Sequence, residues 1–515
     1  MKLTRRTLLK APLALAAPAS KTERPNLLFL IADDHARYVM GCDGNRTAKT
    51  PNIDRLSAEG VRFARNYCNS PVCTPSRQCI LTGQMPHSAG VTLLATPLSE
   101  DKPTIAKQLA TRGYKTAVFG KMHFNQPGRT GLHGFLTTKT EEIVQREWMA
   151  EVKPDPLPAD TAVKPKWQPF KVPARIWLNS DKLPFGRRYE QMKSTWVARQ
   201  ACRFLEEHKG EPFALWVSLQ EPHSPFDFPL EDTNAYDSKS FPVPVLGPKD
   251  PTQIPLIFRD LSSTDKQGII ASYYTSVRYM DANMGVVLQK LKALGLEDNT
   301  LVVYMADHGY CLGQHGRFEK HCCFEPALGV PLTMRWPGHI RQGVVKDLTE
   351  SVDVPHTILD MLGAEALPIR HGESLRPYLE GSRPLQPRSY IFSEYLENEE
   401  ACVRTDRWKY VQCSGRRART DGYVTDNPTP GRYLRLYDQQ DDPQEVTDQA
   451  ANHPELVTKL SSLMLERFRK THPEASIEPA ELTTLDAIDW YLRPRDPGPK
   501  FRLQGSAELS LPMPR

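Results

Sequence analysis

Four segments of this chain are unbroken apolar runs that stop abruptly at polar or charged residues, and this pattern constrains the fold most. Residues 27–32 run into Asp33 and Asp34, and residues 301–306 run into Asp307 and His308. The stretch EPFALWVSLQEPH ends at His223, and GYKTAVFGKMH delivers Lys121 and His123. A strand with one wet face alternates apolar and polar residues, whereas an unbroken run reads as a strand buried on both faces. Such strands belong to sheets covered by helices on both sides, and in open sheets of that kind ligands bind at the C-terminal ends of the strands. These polar strand ends are therefore where chemistry is expected.

Helical periodicity fills the intervals. Met192, Thr195, Trp196, Cys202 and Leu205 share one face of a segment that Gly210 follows, and Ile269, Tyr273, Val277, Met280, Met284, Leu288 and Leu291 share a face of another that Gly295 closes. The fold class is accordingly α/β, a large mixed, mostly parallel sheet sandwiched by helices. After about residue 385 the texture changes to short strand-like pieces (RSYIFSEY, ACVRTDRWKYVQC, YLRLYDQQDDP) and one amphipathic helix, HPELVTKLSSLMLERFRKTH. This reads as a smaller C-terminal antiparallel-sheet-plus-helix subdomain, residues 386–515, with a Pro-rich tail from about Leu492, behind a catalytic domain of residues 21–385. Residues between His123 and Arg188 are rich in proline and read as a long loop-like insertion.

The formal charge of +5 owes four positive charges to Lys2, Arg5, Arg6 and Lys10, so the rest of the chain is close to neutral. No global basic field remains, which argues against nucleic acid as a partner. Residues 1–20 read as an export signal: a basic start, a short apolar run and small residues near Ala16 to Ala19. Arg5 and Arg6 followed by Leu8, Leu9 and Lys10 resemble a twin-arginine signal, which predicts a periplasmic or secreted protein. That run is too short for a membrane span, and no later segment is long enough. The ten cysteines include no Cys-x-x-Cys pair, and Cys322 and Cys323 are neighbours, a spacing that rarely bridges without strain. Spacing alone assigns no disulfide.

Asp33, Asp34, Asp307 and His308 form the clearest constellation. Strand-end acids can cap following helices. Two such groups on two strands instead point to a hard-cation site, because adjacent carboxylates repel unless a cation compensates them. A second feature is SPVCTPSRQCILTG, residues 70–83. A cysteine acting as disulfide partner, metal ligand, nucleophile or buried small hydrophobe needs neither Pro75 nor Arg77 at a fixed offset.

Cys73-Thr74-Pro75-Ser76-Arg77, continued to Leu81-Thr82-Gly83, resembles the sulfatase signature. NLLFLIADD, TPNIDRLSAEGVRFARNYC, GYKTAVFGKMHF, EPHSPF, MADHGYCLGQHGRFEK and the late RTDRWKYV and LYDQQDDPQEVTD resemble further blocks of that family in the same order, over most of residues 24 to 470. The resemblance, to formylglycine-dependent type I sulfatases of the alkaline phosphatase superfamily, implies that a separate maturation enzyme oxidises Cys73 to Cα-formylglycine and recognises Pro75 and Arg77 in doing so. The hydrated aldehyde then attacks sulfur, displaces the alcohol, and re-forms as sulfate leaves, splitting one hard displacement into two easier steps. It also implies that Asp33, Asp34, Asp307, His308 and modified Cys73 bind Ca²⁺ (Mg²⁺ being the alternative), that Arg77 and His123 hold the formylglycine, and that Lys121, His223 and Lys320 contact sulfate, with His223 or Lys320 protonating the leaving alcohol. The partner implied is a sulfated small molecule or glycan. A phosphodiesterase or phosphonate monoester hydrolase on the same fold is the alternative activity. The chain departs from the common pattern at Gly329, where Arg is usual and a local effect is expected, and at Met122, where Trp is usual and a change of pocket shape is expected. His308 stands where many relatives carry Asn. Substrate selection is expected of residues 127–188 and 226–257.

Overall fold

A computed structural model describes residues 24–165, 172–416, 425 and 431–496. The export-signal reading, on residues 1–20, and the tail beyond residue 496 lie outside the described residues. Among the described residues no helix is long and apolar enough to cross a membrane.

Fourteen strands are present among the described residues: β1 (Asn26–Ala32), β2 (Val61–Phe63), β3 (Asn66–Tyr67), β4 (Lys115–Gly120), β5 (Thr137–Thr140), β6 (Phe213–Ser218), β7 (Thr300–Ala306), β8 (Leu332–Arg335), β9 (Gly343–Val345), β10 (Thr349–Glu350), β11 (Tyr390–Tyr395), β12 (Glu400–Thr405), β13 (Trp408–Cys413) and β14 (Tyr433–Asp438). Eight of them make one sheet in the order β5-β4-β6-β1-β7-β8-β2-β9. Its pairings are parallel except at β8, which runs against both β7 and β2. The four apolar runs of the sequence are the four adjacent strands β4, β6, β1 and β7. Every residue of β1, β6 and β7 is buried. Alternate residues enter two separate cores. Leu28, Leu30, Val302 and Tyr304 meet the Lys193–Glu207 and Ser263–Ala293 helices on one face. Leu27, Phe29, Leu301 and Val303 meet the Cys73–Thr82, Ile105–Thr111 and Asp353–Met361 helices on the other. Fully burying each such side chain stabilises by about 1.5–3 kcal/mol, which is why apolar residues without alternation select this sandwich.

β11 to β14 form a second, antiparallel sheet in sequence order, with Phe392 opposite Val403, Val403 opposite Tyr410 and Tyr410 opposite Leu436. These residues share a core with Leu460, Met464 and Phe468 of the Pro454–Thr471 helix and Ile488 and Tyr491 of the Thr484–Tyr491 helix. The second of these helices, opened by the side chain of Thr483 accepting from the Asp486 N–H, was not expected from the sequence.

The insertion between His123 and Arg188 is not structureless, contrary to expectation. It supplies edge strand β5, the Glu141–Glu151 helix and the short Ala174–Trp177 turn of helix. Its prolines flank these elements, and the helix buries only Ile143, Val144 and Trp148, too narrow a stripe to stand out by periodicity.

Candidate active site

Because β4, β6, β1 and β7 are neighbours, their C-terminal residues converge on one edge. Asp33 and Asp34 follow β1, with Asp34 in the left-handed region (φ 65°). That conformation is sparsely populated for a non-glycine residue and persists where contacts over-determine it. Here the Asp34 N–H donates to Asp307 Oδ1 (3.1 Å), and the Tyr273 hydroxyl donates to the Asp34 carbonyl (2.6 Å). His123, after β4, is left-handed too (φ 51°), and Glu141 Oε1 accepts the N–H groups of Met122 (2.6 Å) and His123 (2.5 Å).

The signature segment is the Cys73–Thr82 helix, with Cys73 its first residue and all ten residues buried. Pro75 lies in the first turn, where a helix has no partner for an N–H anyway. Gly83, left-handed at φ 66°, ends the helix by donating its N–H to the Cys79 carbonyl. Cys73 Sγ thus stands at the helix N-terminus, 3.4 Å from Asp33 Oδ1, 3.1 Å from His308 Nε2 and 3.9 Å from Lys121 Nζ. Arg77, one turn on, donates through Nε to Asp307 Oδ2 (2.8 Å) and through Nη1 to the Lys121 carbonyl (2.5 Å) and Ser218 Oγ (2.8 Å). Its Nη2 lies 3.6 Å from Asp33 Oδ1. Lys121 pairs with Asp33, and Lys320 donates to both oxygens of Asp34 (2.7 and 3.0 Å). His308 Nε2 is 3.4 Å from Asp34 Oδ1 and 3.6 Å from Asp307 Oδ2.

Three buried carboxylates face three buried cations, and the balance differs at each. Burial pushes Asp33 up, but the positive charges of Lys121 and Arg77 outweigh it and hold the carboxyl well below the usual range. Burial prevails at Asp34 and Asp307, whose carboxyls are pushed up despite Lys320 and Arg77. Burial drives His123, His223 and His308 well below the usual imidazole range, so all three are neutral at pH 7. The Cys73 thiol is pushed up by burial and by Asp33. An unmodified thiol there is a poor nucleophile, because the thiolate is the reactive form.

The donor atoms of Asp33, Asp34, Cys73 and His308 lie within 4.8 Å of one another. Two carboxylates and a neutral imidazole in that space suit a divalent cation, and the incompletely compensated burial of Asp34 supplies a reason to bind one. Asp307 adjoins the set and is held by Arg77 and by the backbone N–H groups of Asp34 and His308 (the latter 2.9 Å).

A cavity of about 590 Å³ opens over Cys73, and Lys121, His123, His223 and Lys320 line it. All ten residues singled out in the sequence therefore lie in or directly beneath one site. Its outer wall includes Glu142, Arg146 and Trp177 from the insertion, and Lys193 and Gln220. Sequence reasoning missed these individually, and nothing in their local pattern marks them. Residues 226–257 do not line this cavity. Met122 does not line it either; its side chain is packed in the core beneath the sheet. The substitution of the usual Trp is thus a core change, not the expected change of pocket shape.

Comparison with known proteins fits this geometry. The Sulfatase family model matches residues 25–364, and the model for the C-terminal part of N-sulphoglucosamine sulphohydrolase matches residues 313–471. The chain is 29% identical over 438 residues to an N-acetylglucosamine-6-O-sulfatase of Bacteroides thetaiotaomicron, covering 75% of this chain and 77% of that protein. It is 26% identical over 504 residues to a choline-sulfatase of Rhizobium meliloti, covering 92% and 91%. Among solved structures, the phosphonate monoester hydrolase of Agrobacterium radiobacter superposes with a TM-score of 0.74 at 23% identity, over 88% of this chain and 97% of that one. A protein in complex with its substrate D-glucosamine-2-N,6-O-disulfate superposes with a TM-score of 0.68 at 22% identity, over 88% and 99%. On the family match across the whole sheet and its polar edge, the chain belongs to the sulfatase family of hydrolases.

Proposed function

We propose that this hydrolase releases inorganic sulfate from a sulfated carbohydrate or other organic sulfate monoester, using residue 73 as formylglycine and one divalent cation. The observation that carries the reading is the placement of Cys73 at a buried helix N-terminus, against Asp33, His308 and Lys121 and beneath the cavity. The formylglycine, when formed, supplies a hydrated aldehyde whose hydroxyl is the nucleophile. The cation, when bound, supplies charge neutralisation for that nucleophile and for the sulfate oxygens. Asp33, Asp34, Asp307 and His308 would hold it, with residue 73.

The chain's own residues do the rest. Arg77 and His123 orient residue 73. Lys121 and Lys320, which pair with Asp33 and Asp34, line the cavity, where fixed positive charge favours a transition state that gathers charge on the leaving oxygen. Of the two expected proton donors, Lys320 carries a proton at pH 7, since Asp34 and the other acids outweigh its burial and raise its pKa. Neutral His223 is left to accept a hydrogen bond or relay a proton. We assign residues 21–385 to the catalytic domain and 386–515 to the C-terminal subdomain, and residues 1–20 to an export signal of the twin-arginine type.

The test is sulfate release, by ion chromatography, from a panel of sulfated sugars and from p-nitrophenyl sulfate, with peptide mass spectrometry of residue 73. Turnover with an aldehyde at residue 73 is expected. Full activity with an alkylatable thiol at that position would refute the nucleophile. A kcat/KM for a phosphonate monoester above that for every sulfate ester would transfer the site to the phosphonate reading.

A further inference from the structure

The segment that carries Lys320 begins at Cys311 and ends at Cys322, and it folds back on itself. Cys311 N–H donates to the Glu319 carbonyl (2.8 Å), Gly313 N–H to the Arg317 carbonyl (2.8 Å), and the Tyr310 hydroxyl to the Phe318 carbonyl (2.5 Å). These bonds bring the two ends of the loop together, with Cys311 Sγ 3.9 Å from Cys322 Sγ and both side chains buried. Cys323, the next residue, turns instead toward Cys402 of β12, and its N–H donates to Glu400 Oε1 (3.0 Å). The vicinal cysteines therefore turn to different partners and do not compete for one. Lys320 lies two residues before Cys322, and Arg317 and Glu319 of the same loop pair at 2.5 Å.

We propose that Cys311 and Cys322 form a disulfide that clamps the base of this loop and so holds Lys320 at the cavity. A disulfide requires sulfurs about 2.05 Å apart, and a change of χ1 in one or both side chains closes the gap between two thiols already in contact. The oxidant is a disulfide of the glutathione or thiol-oxidoreductase class. The sulfur of Cys322, a residue that retains 3% exposure against none for Cys311, attacks one sulfur of that disulfide and expels a thiolate. Cys311 then attacks Cys322 Sγ in the mixed disulfide and expels the second thiolate. The protein loses two electrons and two protons, and the oxidant is reduced to two thiols. The hydrogen bond to Cys322 and burial raise the Cys311 pKa, so the exchange proceeds while the loop is open, during folding or local opening, more readily than in the closed loop.

The test uses the full chain, incubated with oxidised glutathione, then denatured in alkylating reagent and digested with trypsin without reductant. Cleavage after Arg317 and Lys320 separates Cys311 from Cys322, so the bridge appears as two joined peptides whose link reduction breaks. The join is expected in wild type and in Cys323→Ala, and absent from Cys322→Ala. Reduction is expected to lower the melting temperature of Cys323→Ala by about 2–3 °C, the size anticipated for a short cross-linked loop in a chain this long. It should leave Cys322→Ala and Cys311→Ser unmoved by comparison. Full alkylation of both Cys311 and Cys322 in the oxidised wild type, or a join that survives in Cys322→Ala, would overturn the proposal. Because the wild-type map is decisive alone, failure of either variant to fold leaves the result readable.

Discussion

The edge of the large sheet and the seam beneath the C-terminal sheet both bury carboxylates beside arginines, yet the two clusters are built differently. At the seam, Glu350 accepts from Arg388 (3.1 Å), Arg467 (2.8 Å) and the Phe392 N–H (2.7 Å). Asp353 accepts from Arg388 (2.5 Å) and from the N–H groups of Glu373 (2.8 Å) and Glu350 (2.8 Å). Every carboxylate oxygen there has a donor, and Arg467 Nε is left without an acceptor among the described residues. At the sheet edge the cations are shared among Asp33, Asp34 and Asp307, and polar atoms are left over: Arg77 Nη2 and His123 Nδ1 are buried without a hydrogen-bond partner among the described residues. That edge opens on the cavity. A closed cluster whose carboxylates are all satisfied holds elements together, whereas carboxylates that share their cations beside a cavity leave room for a ligand.

The contrast predicts effects of different kind and size. Cys73→Ala should lose sulfate release by about 10⁴-fold or more while its melting curve overlays wild type; retained turnover would place the chemistry elsewhere. Arg388→Met at the seam should do the reverse. Leaving Glu350 and Asp353 short of a partner costs about 3–5 kcal/mol in denaturant melts, with kcat of the folded fraction unchanged. A loss of kcat at constant stability would erase the distinction between the clusters.

Asp307→Asn should lower turnover by about 10–100-fold or more, since losing a group that would hold the cation costs at least as much as losing one that orients its ligands, and excess Ca²⁺ or Mg²⁺ should recover part of it. Chelation of wild type should lower both activity and melting temperature, and either ion should restore them, since ligands that bind the native state alone stabilise it. Chelation confirmed by elemental analysis with no change in either would remove the cation from the reading. His308→Asn should be milder than Asp307→Asn, because the amide oxygen keeps a donor in place.

The smallest effect is a pH slope on the C-terminal side. His472, stacked on His87 with centroids 5.1 Å apart, is lowered to about 3 by burial and by His87 and Arg495. The unfolded chain therefore binds a proton that the folded chain refuses between about pH 6.5 and pH 3. Its contribution is present above pH 6.5 and lost as pH falls through that window. His472→Gln should flatten the dependence of melting temperature on pH there, and an unchanged slope would assign it to other histidines.

The sequence by itself determined the four central strands, two of the long helices that cover them and the polar residues at the strand ends, because backbone periodicity and burial on both faces leave their record in adjacent residues. The resemblance of the Cys73 segment added the chemistry. Only tertiary structure decided that β4, β6, β1 and β7 stand side by side, so that an Asp34 N–H meets a carboxylate 273 residues away. It also decided that the insertion walls the cavity with Trp177 and Arg146, that Met122 packs in the core, and that Cys311 and Cys322 lie in contact. Strand order and side-chain contact are set by how whole surfaces pack, and no short stretch of sequence carries that information.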